Sequence, residues 1–68
     1  MHFIAKPTLL ILFAENGYQV QKFAEEAGLT RQTIYNVLRR KSVSPASAKK
    51  VCDVMGIAMM DYFEFQCD

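Results

Sequence analysis

The segment "RQTIYNVLRRK", residues 31–41, holds three arginines, one lysine, one glutamine, one asparagine and one tyrosine, and no acid. These side chains hydrogen-bond nucleic acid. Arginine can set two parallel N–H groups on guanine O6 and N7, and glutamine or asparagine can bond adenine N6 and N7 in the same two-pronged way. If Ile34, Val37 and Leu38 face inward at helical spacing, the outward set is Arg31, Gln32, Tyr35, Asn36 and Arg39. Gln32 and Asn36 stand four apart and are neighbours on that face. Arg31 falls at the positive end of the helix, where a cation is unfavourable by roughly 0.3–1 kcal/mol, so its use lies outside the helix. Arg39, Arg40 and Lys41 follow where the helix ends and suit phosphates, which supply affinity without reading sequence. The competing reading of the face is ordinary solvation.

A helix can present such a face only if its neighbours hold it. Val20, Phe23, Ala24 and Ala27 form one side of a preceding helix over residues 20–27, and Gly28 ends it. Ala24 is small where two helices joined by a tight turn cross closely, and Gly28 can take the positive φ of that turn. Leu29 then enters the core, Thr30 is a good N-cap, and the next helix spans about residues 31–39. This is helix-turn-helix spacing, with the pair covering about residues 20–39. An earlier helix over about residues 7–16 opens at Pro7 and stops at Gly17. Its consecutive Leu9, Leu10, Ile11, Leu12 and Phe13 exceed one buried face, so some of them need cover from an N-terminal arm or a second subunit. Ser44 and Pro45 start a fourth helix ending at Gly56, and residues 59–65 read as a short fifth. Strand-like alternation competes only in residues 2–5. The expected fold class is all-α, a compact bundle of about five short helices in one domain over residues 1–68.

Composition narrows the function classes. The net charge is +1, but residues 1–28 carry −1, residues 29–50 carry +6 with no acid, and residues 51–68 carry −4. A basic middle between acidic flanks is the field of a protein that meets a polyanion. Cys52 and Cys67 with a single histidine, His2, make no zinc framework, so no metal is expected. They read as reduced thiols of a cytoplasmic protein, with a disulfide as the alternative. "LLILF" is too short to span a bilayer, and "MHFIAK" is not a signal peptide. Asp61 and Glu64 read as solvated helix charges with no nucleophile to serve, so neither an enzyme nor a cofactor is expected. Tyr62, Phe63 and Phe65 fit either a dimer seam, shared with the apolar excess of the first helix, or the core.

Across "GYQVQKFAEEAGLTRQTIYNVL", "SPASAKKVCDVMGI" and "MMDYF", about residues 8–64, the chain resembles the Cro and phage-repressor helix-turn-helix family, also called Xre-like. The resemblance implies a lambda-repressor-like fold and a DNA-binding transcriptional regulator, commonly a dimer and most often a repressor, with double-stranded DNA as its partner. It implies base-reading positions at Thr30, Arg31, Gln32 and Asn36, with Tyr35 beside them. "VLRRKSVSPASAKKV" is also similar to the lac-repressor family, but the extra first helix here matches the Cro-like arrangement. The chain departs from the usual pattern before the second helix, where Gln19 and Val20 stand and Gln19 or Gln21 would take the phosphate contact. Arg40 replaces a common glycine, so either the turn differs or Arg40 is left-handed. Ala58 replaces the usual cap of the fifth helix. A module of the same fold that masks a partner protein, an antitoxin or anti-repressor, is the alternative function.

Overall fold

The computed structural model describes residues 2–66, so Cys67 lies outside the described residues. The order of elements is β1 (His2–Ala5), α1 (Pro7–Glu15), α2 (Val20–Ala27), α3 (Arg31–Leu38), α4 (Pro45–Met55), α5 (Met59–Tyr62) and β2 (Phe63–Gln66). Helix boundaries follow local chemistry. Pro7 and Pro45 occupy first turns, where their missing N–H costs nothing. The Thr30 and Ser44 hydroxyls accept from the Thr33 and Ser47 backbone N–H groups, each at 3.2 Å.

One layer of small and aromatic side chains joins all the elements. Leu9 and Phe13 of α1, Phe23, Ala24 and Ala27 of α2, and Ile34 and Val37 of α3 are buried together with Ala48, Val51 and Cys52 of α4. Phe3, Ala5, Val43 and Phe63 close the core from the sheet side. Phe13, Tyr18 and Phe23 form a ring cluster with centroids 5.0–5.3 Å apart, which holds the α1–α2 connection against the core. The apolar excess of α1 is divided. Leu9 and Phe13 are buried, Leu10 and Leu12 are half-buried, and Ile11 remains 58% exposed beside Tyr62 in a shallow groove of about 200 Å³.

The all-α expectation needs correction at the chain ends. The fifth helix stops at Tyr62, and residues 63–66 pair antiparallel with β1 in the register His2↔Gln66, Phe3↔Phe65, Ile4↔Glu64 and Ala5↔Phe63. A seven-residue helix is too short to be stable alone. Phe63 and Phe65 alternate with Glu64 and Gln66, and Phe3 and Ala5 match that alternation across the pair. Phe63, 1% exposed, therefore belongs to the core, while Phe65 stays 45% exposed. Ala58 provides no side-chain cap, and α5 is one turn long.

Cys52 is a buried free thiol. Burial pushes its pKa up to about 11; neighbouring Asp53 acts in the same direction and Lys49 opposes it. The neutral thiol is native. As pH rises past the ordinary thiol value of 9.0, the unfolded chain loses this proton first, so stability falls between there and about 11. Urea denaturation at pH 7 and pH 10.5 should show the native chain losing roughly 2 kcal/mol more than Cys52→Ala does over the same interval. Equal losses would mean that the fold does not hold the thiol neutral.

Candidate nucleic-acid interface

Ala24 and Ala27 let α2 approach α3 closely, because neither side chain extends beyond one carbon. Gly28 then turns the chain at φ +69°, and the Leu29 N–H closes back on the Ala24 carbonyl at 2.9 Å. Leu29 packs against the core and Thr30 is extended at φ −82° and ψ 158°, which starts α3 at Arg31. Ile34 and Val37, 1% and 2% exposed, pin the inner side of α3. The outer side is left to polar residues.

On that outer side the structure brings together most of the residues picked out by sequence. Thr30, Arg31, Gln32, Tyr35 and Arg39 are exposed, and Asn36 is half-buried. Gln32 Nε2 donates to Asn36 Oδ1 at 3.1 Å. The bond spans one helical turn and limits the rotamers of both amides. It leaves Gln32 with its carbonyl oxygen and one N–H, the pair that adenine requires. The Arg39 guanidinium lies over the Tyr35 ring at 5.4 Å from its centroid, a cation–π contact that extends the cationic surface along the helix. Thr30 spends its hydroxyl on the cap and also bonds the Thr33 hydroxyl at 3.0 Å. Thr33 was in neither sequence-derived set; its hydroxyl three residues after the cap was the legible signal.

The phosphate candidates fall into two groups. Gln19 and Gln21 are exposed at the start of α2, where Gln19 is the N-cap residue but makes no side-chain cap bond. Arg39, Arg40 and Lys41 form the exit from α3, and Arg40 is the one non-glycine residue with positive φ among the described residues, at +58°. The Lys41 N–H reaches the Asn36 carbonyl at 2.9 Å and the Arg40 N–H reaches that of Val37 at 3.1 Å, the two bonds of a left-handed helix stop. Arg40 thus keeps the glycine's geometry without being glycine. Its Nε donates to the Ala5 carbonyl at 3.0 Å, tying the end of α3 to β1. The guanidinium is therefore partly a structural tie, with four N–H groups left over for an anion.

A family model described as a Cro/C1-type HTH DNA-binding domain matches residues 8–68. No curated protein and no solved structure matches the chain. No helix among the described residues is long and apolar enough to cross a membrane.

The left-handed position at Arg40 can be tested by itself. Arg40→Gly and Arg40→Ala both remove the tie to Ala5, but only alanine keeps the β-carbon that opposes this conformation. The glycine variant should be the more stable by about 1 kcal/mol in urea denaturation. Equal stabilities would place Arg40 outside the left-handed region.

Proposed function

The chain belongs to the Cro/C1-type helix-turn-helix DNA-binding domain family, and on that premise we propose that it is a sequence-specific transcriptional regulator acting as a repressor. The carrying observation is the outer side of α3: Arg31 and the bonded Gln32–Asn36 pair share a helix whose opposite side is locked into the core. In this reading the whole chain works as one DNA-binding domain. Its α3 enters the major groove with Arg31, Gln32 and Asn36 toward base edges, and with Thr30 and Tyr35 alongside. Gln19, Gln21, Arg39, Arg40 and Lys41 meet phosphates on either side. Two copies on a roughly palindromic operator would put their third helices in successive major grooves, about 34 Å apart, and would occlude polymerase.

The exposed Ile11, Met60 and Phe65 favour a second reading, in which the same fold works mainly by covering a partner protein. Selection of duplexes from a random pool separates the two. Enrichment of a two-fold motif supports the regulator, and failure to retain any duplex at low salt supports the protein-binding module.

For the regulator, Arg31→Ala or Gln32→Ala should weaken binding to the selected operator by about 1–3 kcal/mol and relax preference at one base pair. An equal loss on every duplex would assign these side chains to phosphate instead. With five phosphate contacts, the logarithm of affinity should fall against the logarithm of salt with a slope of roughly −4 to −5. A flat salt dependence in a titration would contradict a phosphate-held complex.

A further inference from the structure

The two amides on the outer side of α3 are not equivalent. Gln32 stands in the first turn, is exposed, and is longer than asparagine by one methylene. Asn36 sits one turn further along and is half-buried. Their bond runs one way: Gln32 Nε2 donates and Asn36 Oδ1 accepts, at 3.1 Å. Asn36 thereby turns its carbonyl oxygen toward Gln32, and the free donor-and-acceptor pattern that adenine demands belongs to Gln32. The direction matters. Reversed, with Asn36 Nδ2 donating to Gln32 Oε1, the bond would occupy the Gln32 acceptor and leave it two N–H groups, the pattern for guanine O6 and N7. The guanidiniums three and four residues on, which are neighbours of Asn36 on the helix, are held elsewhere. Arg39 lies over the Tyr35 ring at 5.4 Å, and Arg40 Nε donates to the Ala5 carbonyl at 3.0 Å.

We propose that Gln32 and Asn36 act as one unit that reads unmethylated adenine, with Gln32 making the contact and Asn36 as the positioning residue that fixes which way its amide faces. The inference rests on the DNA-binding reading above and names the base that this part of the interface takes. An unrestrained glutamine can present either end of its amide, and so bonds adenine, guanine or thymine edges in turn. Held by Asn36, its Oε1 and remaining N–H face outward together. The Oε1 takes the adenine N6–H, and the N–H goes to adenine N7. Guanine puts O6 where N6 would be, so two acceptor oxygens would face each other. The same constraint makes the unit sensitive to a modified base. In N6-methyladenine the one remaining N6–H pairs with thymine, and a methyl group takes the place of the hydrogen that Gln32 needs. An unrestrained glutamine rotates away from that methyl. One bonded to Asn36 meets it with a carbonyl oxygen, which is left unpaired in the interface.

The base pair met by Gln32 is the one whose preference Gln32→Ala relaxes. There the native chain should favour adenine about 10- to 100-fold over other bases in selected duplexes. Asn36→Asp keeps an acceptor for Gln32 Nε2, so it should keep the adenine preference while its charge weakens binding to every duplex. Asn36→Leu keeps the branched shape without the acceptor and should cut the preference at the same base pair to about threefold or less. N6-Methyladenine placed at that position should weaken binding of the native chain about tenfold, and that of Asn36→Leu much less. The methylated duplex tests the unit in the native chain without any substitution. An Asn36→Leu variant that keeps adenine at the Gln32 base pair and relaxes a different one would overturn the inference, since Asn36 would then read a base of its own. Equal binding of adenine and N6-methyladenine by the native chain would also overturn it. Both results leave the regulator reading standing. A native chain that retains no duplex at low salt fails the regulator reading itself, and the adenine contact with it.

Discussion

Ile34 and Val37 must be buried against Ala24 and Ala27, and this contact decides what α3 can do. Each of the two larger side chains contributes about 1.5–3 kcal/mol when removed from water, a large share of the stability of so small a domain. The contact works only because the facing residues of α2 are small and because the chain reverses at Gly28 with a left-handed backbone. A bulkier residue at Ala24 would push α3 off the core. Once the inner side of α3 is committed, Arg31, Gln32, Tyr35 and Arg39 have nowhere to go but outward.

The rest of the fold supports that helix at its two ends. At the start, the Thr30 hydroxyl satisfies an orphan N–H. At the finish, Arg40 accepts a strained conformation and in return bonds the Ala5 carbonyl, so the last turn of α3 is anchored to β1. The β1–β2 pair joins the beginning of the described chain to its end, and Phe3 and Phe63 fill the gap that five short helices leave open. A small all-helical core would be marginal at this length. The sheet adds aromatic area where it is scarce.

This arrangement also separates tasks. Side chains in the core are apolar throughout, and no charged residue is buried among the described residues. Six of the eight basic residues fall in residues 29–50, which hold no acid, while residues 51–68 carry four of the seven acids and no base. A field of that shape favours approach of a polyanion to the α3 side and disfavours it at the β2 side.

Four of the helices and the turn between α2 and α3 were legible in the sequence, because each is set by local signals: Pro7, Gly17, Gly28, Thr30, Ser44, Pro45 and Gly56 act within one turn of where they stand. The outward set on α3 was legible for the same reason, since helical periodicity alone sorts Ile34 and Val37 from Arg31 and Gln32. The second strand was not, and the first showed only as a competing alternation in residues 2–5. Residues 2–5 and 63–66 are too short to declare themselves, and each is a strand only because the other lies beside it across the whole chain. Nor could sequence choose between a distorted turn and a left-handed Arg40, or show that this guanidinium reaches Ala5, thirty-five residues away. Local chemistry therefore determined the helices and which side of α3 is polar. Long-range pairing alone decided how the ends close, because those bonds join residues that no local pattern relates.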